Sequence, residues 1–273
     1  MQKKVSIIMG IYNCANTLGE AIESLLQQTY HDWELIMCDD GSQDNTYEIA
    51  EKFSKKYENI IVFQNERNMG LNYTLNRCLE RANGVYIARM DGDDISFPRR
   101  LEKEVDFLER HKEYAIVSTN MVYFDENGDW GKSNMLEYPQ KEDLVRATPF
   151  CHAPCMVRSE AYETVKGYSV DKRLLRMEDY HLWIKMYSKG YKGYNIKEPL
   201  YKMRDDSAAT KRRTFKSRIN EAYVRYLAIK MLKLPKRNVI FIFRPIILGL
   251  CPNFVYERLH KKKLQKFDKG EEQ

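Results

Sequence analysis

The chain has 273 residues, of which 43% are hydrophobic and 31% charged, and this composition is typical of a globular protein with a sizeable core. The formal net charge of +6 is unevenly distributed, with basic stretches at 211–218 and 258–266 that suit an anionic membrane surface, nucleic acid or a phosphorylated ligand. Six cysteines without a second close pair, and an N-terminus without signal-peptide features, argue against disulfides or zinc and predict a cytoplasmic protein. The longest apolar run, 239–250, is too short to span a membrane.

Strand and helix patterns alternate through the first part of the chain. Short apolar runs predict strands at 5–9, 33–38, 60–63 and 85–90. Amphipathic patterns predict helices between them, at 17–28, 44–57 and 72–82. This order predicts an α/β fold with a mostly parallel central sheet and helices on both faces.

The pattern is mixed after residue 115. Further strands are predicted at 116–123 and 153–158, and further helices at 141–148, 159–165 and 178–189. From Lys211 onward the sequence predicts a helical extension with a basic, aromatic tail.

Polar clusters follow three of the predicted strands at the points where these strands end. They are Tyr12-Asn13, the turn 39–42 and the acidic stretch 91–94. Open parallel sheets bind ligands beyond the carboxyl ends of their strands. We therefore expect the three clusters to meet at one ligand-binding edge.

The acidic stretch 91–94 follows a buried strand, where each charge is costly without a partner. Asp91 and Asp93 are two residues apart, and Gly92 between them lets the backbone approach a ligand. Carboxylate oxygens suit Mg²⁺ or Mn²⁺, which bind one or two carboxylates together with substrate phosphates. The alternative is that Asp93 and Asp94 only cap a helix beginning near Pro98. Because proline suits the first turn of a helix, we expect Asp94 or Ser96 to cap it in either case.

Asp40 has several possible roles after the second strand. A dinucleotide-binding fold would need a Gly-rich turn after its first strand, and GIYNCANTLG lacks that spacing. A carboxylate can instead accept the imide N–H of uracil while the base stacks on an aromatic ring such as Tyr12. The alternative is that Asp40 and Ser42 only shape the turn.

Four stretches in the same order and spacing resemble family 2 glycosyltransferases, in particular bacterial enzymes that build capsule or lipopolysaccharide chains. They are VSIIMGIYN, DWELIMCDDGSQDNT, NMGLNYTLNRCLERANGVYIARMDGDD and RMEDYHLW. One departure is that Gly10-Ile11 precede Tyr12, where the family usually has Pro followed by Thr or Ser. Contacts from Gly10 would therefore come from its backbone alone.

The resemblance implies a nucleotide-diphospho-sugar transferase fold of the A type and a divalent ion, Mn²⁺ or Mg²⁺. It implies a metal site at Asp93 with Asp91, a catalytic base at Asp179 beside Glu178, and an acceptor-side role for His152. The nucleotide-sugar contacts that it implies are Gly10, Tyr12, Asn13, Asp40, Gly41, Ser42, Asn68, Gly70, Arg89, Asp91, Gly92 and Arg204.

Each of the less certain roles has a structural alternative. Glu178 and Asp179 at a helix start would also cap the helix and complement its dipole. Arg89 alternates with Asp91 along the strand and would also fit a purely structural ion pair. His152 would also fit a satisfied, partly buried histidine.

These residues together predict an inverting, metal-dependent hexosyl- or N-acetylhexosaminyltransferase that moves a sugar from a UDP-sugar to a glycan or lipid-linked acceptor in cell-surface polysaccharide synthesis. We expect a catalytic domain over 1–210, divided into a nucleotide-sugar-binding half (1–115) and an acceptor-binding half (116–210), followed by the extension 211–273. Alternatives are a sugar nucleotidyltransferase, which would carry a Gly-rich basic loop after its first strand, and an inactive binding subunit. No nucleic-acid partner is expected.

The segment 236–264 combines apolar and aromatic residues with flanking cations. This combination predicts peripheral association with the cytoplasmic face of an anionic membrane. The alternatives are a helical hairpin packed on the catalytic domain and a homodimer contact.

Overall fold

The computed structural model describes residues 4–205 and 214–250, and a nine-stranded sheet forms the centre of this part of the chain. The strands are β1 (Val5–Ile11), β2 (Trp33–Asp39), β3 (Ile60–Gln64), β4 (Tyr86–Arg89), β5 (Ile95–Ser96), β6 (Ile116–Asp125), β7 (Gly128–Lys132), β8 (Met156–Arg158) and β9 (Gly193–Arg204). The α-helices are α1 (Leu18–Leu26), α2 (Thr46–Lys56), α3 (Leu71–Leu79), α4 (Arg100–Arg110), α5 (Ser159–Val165), α6 (Glu178–Ser188), α7 (Phe215–Met231) and α8 (Ile240–Gly249). Short 3₁₀ turns lie at Asp143–Val145, Lys172–Leu174 and Lys236–Val239.

The strand order places the ends of several parallel strands at one edge of the sheet. The order is β3-β2-β1-β4-β8-β6-β9-β5, with β7 paired to β6. Strands β1 to β4 are mutually parallel where they pair, and β6 is parallel to β9. Because β8 is antiparallel to both β4 and β6, β6 and β9 run in the same direction as β4. The carboxyl ends of β1, β2, β4 and β9 therefore lie at the same edge.

The sheet is covered on both faces because its inner strands are apolar on both sides. In β1, Ile7 and Met9 point into one core and Ile8 into the other, as the two-residue period of a strand requires. The first core is closed by α1 and α4, and the second by α3, α5, α6 and α7. The predicted α/β fold is confirmed, with antiparallel pairings in the second half where β5, β7 and β8 join the sheet.

Two local predictions are wrong. The helix predicted at 141–148 is a single 3₁₀ turn at Asp143–Val145. Helix α4 begins at Arg100, and the carboxylate of Asp94 instead accepts a hydrogen bond from the backbone N–H of Arg204 at 2.8 Å. Ser96 lies in β5, so neither residue caps the helix.

The C-terminal extension is helical where the structure describes it. Val224 and Ala228 of α7 lie in the same core as Trp183 of α6, so this helix packs directly on the rest of the fold. Residues 211–213 and 251–273 of the predicted extension lie outside the described residues.

Gly193 provides a test of how tightly the core is packed around the start of β9. It is buried at the start of β9, and a Cβ there would overlap the ring of Phe150 and lie 3.0 Å from the Ile116 Cβ. We expect Gly193→Ala to lower the free energy of unfolding by about 1–3 kcal/mol, the usual cost of overpacking a core. Urea unfolding measures this change. Gly19→Ala, in helix α1 with no atom within 4 Å of the new Cβ, should leave stability unchanged or raise it by at most about 1 kcal/mol.

Candidate active site

A cleft of about 600 Å³ opens at the carboxyl edge of the sheet, between the ends of β1, β4 and β9. Half of the residues predicted from the sequence line it. These are Gly10, Tyr12, Asn13, Arg89, Asp91, Gly92, Asp93 and Arg204.

Three aspartates gather on one wall of the cleft. Asp91, Asp93 and Asp94 each offer a carboxylate oxygen, and these oxygens lie within 4.8 Å of one another. Burial raises the pKa of Asp94 well above its usual value, and the neighbouring charges of Asp91 and Asp93 raise it further. Such crowding of like charges is costly unless cations or N–H groups compensate for it.

Arg89 supplies the nearest compensation. It forms an ion pair with Asp91, and its side chain is only 5% exposed. Burial acts to lower the pKa of Arg89, but Asp91 and the other neighbouring acidic groups together outweigh this, and the pKa is raised. The Nε of Arg89 is buried and has no hydrogen-bond partner among the described residues. Arg89 as a residue lines the cleft, so its positive charge lies beside any ligand bound there.

A buried layer behind the aspartates supports their backbone. The hydroxyl of Tyr201 on β9 accepts a hydrogen bond from the backbone N–H of Asp91 at 3.2 Å, and its hydrogen bond to Asp94 acts to lower the pKa of that carboxyl. The guanidinium of Arg100 lies 5.1 Å from the centre of the Tyr201 ring and donates to the carbonyl of Arg89 at 2.8 Å.

The partner of Arg100 is Glu104, and both side chains are fully buried with their charged atoms 3.3 Å apart. Burial raises the pKa of Glu104 to about 7, although the guanidinium of Arg100 acts against the shift. The buried pair therefore fixes the guanidinium of Arg100 against the Tyr201 ring and the carbonyl of Arg89.

The donor set of the acidic cluster fits a hard divalent cation. It contains carboxylate oxygens and no sulfur or imidazole ligand, the combination that suits Mg²⁺ and Mn²⁺. Asp91 and Asp93 were predicted as ligands, whereas Asp94 joins them in the structure. The three carboxylates could hold such an ion without rearrangement of the strand.

Asp40, in the turn after β2, links this turn to the loop that precedes α3. Asp40 accepts hydrogen bonds from the backbone N–H groups of Met69 (2.8 Å) and Gly70 (2.9 Å) and from the Asn65 amide (2.7 Å). Asp40 is only 4% exposed and does not line the cleft of about 600 Å³. It positions the loop 68–70 through these two backbone hydrogen bonds.

Gly41 and Asn13 complete the junction between the first two loops. Gly41 has φ +73°, and a Cβ there would lie 2.8 Å from the backbone of Arg67, so the turn requires glycine. Asn13 accepts a hydrogen bond from the Gln43 N–H and donates its own N–H to the Ser42 hydroxyl, both at 2.9 Å. Beside this junction the ring of Tyr12 is 45% exposed at the cleft.

Glu178 and Asp179 form the first turn of α6. Burial raises the pKa of Asp179; the Arg89 charge acts to lower it and the Asp91 charge to raise it. Asp179 is therefore within electrostatic reach of the acidic cluster, although neither residue of the pair lines the cleft itself. Burial likewise raises the pKa of Glu178.

His152 lies in an aromatic environment between β7 and β8 along the chain. Its Nε2 is 3.0 Å from the hydroxyl of Tyr168, and its ring packs edge-on against Trp183. Burial lowers the pKa of His152 well below its usual value, and Arg89 lowers it further, so the ring is neutral. Both the Nε2 atom and the ring of His152 therefore have partners within the fold.

Several residues that line the cleft had no assigned role in the sequence analysis. The most informative is Arg176, which has φ +67° and adds a third cation to the cleft beside Arg89 and Arg204. Its position two residues before Glu178, inside RMEDYHLW, was the available signal. The others are Cys14, Asn16, Thr17, Leu71, Asp94 and Met203.

Comparison with known proteins identifies the family. The chain is 48% identical over 268 residues, 98% of its length, to EpsE of Bacillus subtilis (strain 168), of which the match covers 96%. It is also similar to WfaP from Escherichia coli, which is named UDP-Glc:alpha-D-GlcNAc-diphosphoundecaprenol beta-1,3-glucosyltransferase. The two sequences are 33% identical over 194 residues, which make up 70% of this chain and 73% of WfaP.

Solved structures share the fold. TarS 1–349 of S. aureus in complex with UDP-GlcNAc superposes with a TM-score of 0.65 at 18% identity, over 94% of this chain and 74% of TarS 1–349. The mannosyltransferase PcManGT of Pyrobaculum calidifontis, in complex with GDP-Man and Mn²⁺, superposes with a TM-score of 0.58 at 17% identity, over 95% of this chain and 80% of the other. Residues 6–165 match the family described as Glycosyl transferase family 2. The protein therefore belongs to family 2 of the glycosyltransferases, the family that its four sequence motifs predicted.

Proposed function

We propose that this glycosyltransferase moves a sugar from a UDP-sugar to a glycan or lipid-linked acceptor, with inversion at the anomeric carbon, in cell-surface polysaccharide synthesis. The observation that carries the proposal is the cluster Asp91, Asp93 and Asp94, which shares one cleft with three arginines and lies within electrostatic reach of Asp179. Donor and acceptor chemistry would then meet at the same edge of the sheet.

The nucleotide would occupy the β1 and β2 side of the cleft. The exposed ring of Tyr12 offers a stacking surface for the base. Asp40 already accepts three hydrogen bonds, but only one of them is to its Oδ2, so a lone pair remains for an imide N–H. A UDP donor is also supported by the name of WfaP and by the UDP-GlcNAc bound to TarS. Gly10, Gly41, Ser42, Asn68 and Gly70 would contribute through the shape and backbone of these loops.

The diphosphate would lie between the aspartates and the arginines. Arg89, Arg176 and Arg204 all line the cleft and would supply positive charge to the diphosphate. Asp91 and Asp93, with Asp94, would hold Mn²⁺ or Mg²⁺, as the donor set allows and as the Mn²⁺ complex of PcManGT supports. Such an ion acts as a Lewis acid that neutralises the charge developing on the leaving diphosphate.

The transfer itself is a single displacement. Asp179 would accept the proton of the acceptor hydroxyl while that oxygen bonds to the anomeric carbon and the bond to the diphosphate oxygen breaks. UDP leaves with the bonding electrons, and the configuration inverts because attack comes from the opposite face. Burial, which raises the pKa of Asp179, makes it a stronger base than a solvent-exposed aspartate.

The proposed domains follow from this arrangement. Residues 1–115 would bind the nucleotide-sugar, and 116–210, with His152, would bind the acceptor. The extension 211–273 would bring the enzyme to the cytoplasmic face of an anionic membrane through 236–264, of which 251–264 lie outside the described residues. A membrane-linked acceptor is the kind named for WfaP, and no described helix is long and apolar enough to cross a bilayer.

The acidic cluster predicts metal-dependent donor use. Wild-type protein, assayed with Mn²⁺ across a panel of nucleotide-sugars, should release UDP from one donor, and Asp93→Ala should abolish this release together with Mn²⁺-dependent UDP binding. Asp106→Ala, which removes an exposed carboxylate paired with Arg110, should have no effect on either. Near wild-type turnover by Asp93→Ala would remove the cluster from the mechanism, and no turnover with any donor would favour an inactive binding subunit.

We expect the Tyr201 hydroxyl to support metal binding although it is not itself one of the proposed metal ligands. Tyr201→Phe removes the hydroxyl that accepts from the Asp91 N–H and bonds to Asp94, so the aspartates should be less well ordered. We expect Mn²⁺ affinity, measured by titration calorimetry, to fall by about 10-fold or more, as for other supports of metal ligands. Tyr194→Phe, whose hydroxyl bonds to Glu137 away from the cleft, is the control. Equal Mn²⁺ affinity of both variants would show that Tyr201 is not needed.

Asp179 predicts a loss of rate without a loss of donor affinity. Asp179→Asn should lower kcat by about 10²–10⁴-fold, the usual contribution of a general base. UDP affinity should remain within a factor of two, because no donor contact is removed. The raised pKa should place the acid limb of the wild-type rate profile above pH 3.8, the ordinary value for aspartate, and Asp179→Asn should lack that limb. A large fall in UDP affinity would instead indicate a structural cap.

A further inference from the structure

The last described helix leaves a stripe of large apolar side chains open to solvent. Ile240, Phe243, Ile247 and Leu250 are 54–75% exposed. Their spacing of three, four and three residues places them on one face of α8. A stripe of this kind is unusual on a surface that contacts only water.

Helix α7 packs against another side of α8. A Cβ on Gly249 would lie 3.1 Å from the Phe215 ring, so the start of α7 lies against the end of α8. At about 100° per residue Gly249 faces away from the stripe, so this contact leaves the stripe uncovered. We call the stripe on α8 the apolar face; its residues are Ile240, Phe243, Ile247 and Leu250.

Cations accompany the apolar face. Lys216, Lys236, Arg237 and Arg244 are exposed on the same helices and the turn between them. The sequence from 236 to 250 contains no acidic residue. The chain beyond Leu250 carries further cations, at Arg258, Lys261, Lys262, Lys263, Lys266 and Lys269.

We propose that the apolar face docks into the headgroup region of an anionic bilayer, with the surrounding lysines and arginines on the lipid phosphates. Long cationic side chains reach the phosphates while the apolar rings enter the acyl boundary. A second copy of the chain fits less well, because an isologous contact would place these cations against their own copies. Anionic lipid satisfies both the apolar and the charged parts of the surface.

The docked face is tied to the acceptor side of the site. The Asn220 amide of α7 donates to the carbonyl of Leu175 at 3.1 Å, and the neighbouring turn Lys172–Leu174 packs on α7. The same segment continues through Arg176 to Asp179. If the acceptor is lipid-linked, as the proposed function holds, docking would present its sugar to this segment.

Vesicle binding by the full chain tests the proposal. Wild-type protein should co-sediment with phosphatidylglycerol vesicles at low salt, and high salt or phosphatidylcholine alone should weaken this binding. Ile240→Ser/Ile247→Ser should reduce the bound fraction at least tenfold. Val85→Ser/Leu136→Ser, which removes two comparably exposed apolar side chains elsewhere, should bind as wild type.

Four results would overturn the proposal. They are failure of wild-type protein to bind anionic vesicles, unchanged binding by Ile240→Ser/Ile247→Ser, equal loss in the Val85→Ser/Leu136→Ser control, and a wild-type dimer in light scattering that the α8 variant abolishes. Unchanged binding would mean that cations elsewhere suffice, and a dimer would mean that a second copy covers the face. UDP affinity of the α8 variant is measured alongside. Retained UDP binding with lost vesicle binding separates this surface from the donor site, so failure of either proposal is recognisable.

Discussion

Mutual repulsion among Asp91, Asp93 and Asp94 is the constraint on which the rest of the site depends. Three carboxylates with oxygens within 4.8 Å cannot all remain charged at the end of a buried strand without compensation. The fold provides part of it through Arg89 and through the Arg204 N–H. In the proposed mechanism a bound divalent cation would provide the rest of the compensation.

The residues that support the acidic cluster from behind include charged groups whose burial itself costs free energy. Arg100 and Glu104 are fully buried, and an ion pair in that position is seldom a net source of stability. Its value is geometric, because Arg100 holds both the carbonyl of Arg89 and the ring of Tyr201. The buried ion pair therefore contributes little free energy of its own, but it fixes the backbone that carries the aspartates.

Much of the fold and part of the site followed from the sequence, for identifiable reasons. Periodicity and strand order place polar residues such as Tyr12 and Asp91 at the same edge, since parallel strands end together. The contact of Tyr201 with Asp91 joins residues 110 apart, and no pattern in a single sequence reports such a pairing. The expectation that Asp94 caps a helix was wrong because a tertiary partner, the Arg204 N–H, outcompeted the local one. Arg176 was missed because it meets Arg89 and Arg204 only in the folded chain, where the loop before α6 lies beside the ends of β4 and β9.

Arg89 links the two halves of the proposed reaction. Its charge stabilises Asp91 on the donor side and acts to lower the pKa of Asp179 on the acceptor side. In the proposed mechanism the negative charge of an incoming diphosphate would lie near the same guanidinium and offset part of its charge. Arg89 would then lower the pKa of Asp179 less, and a carboxylate of higher pKa is the better base as long as it stays deprotonated at the working pH. One buried guanidinium is therefore a common electrostatic partner of the acidic cluster and of the proposed base.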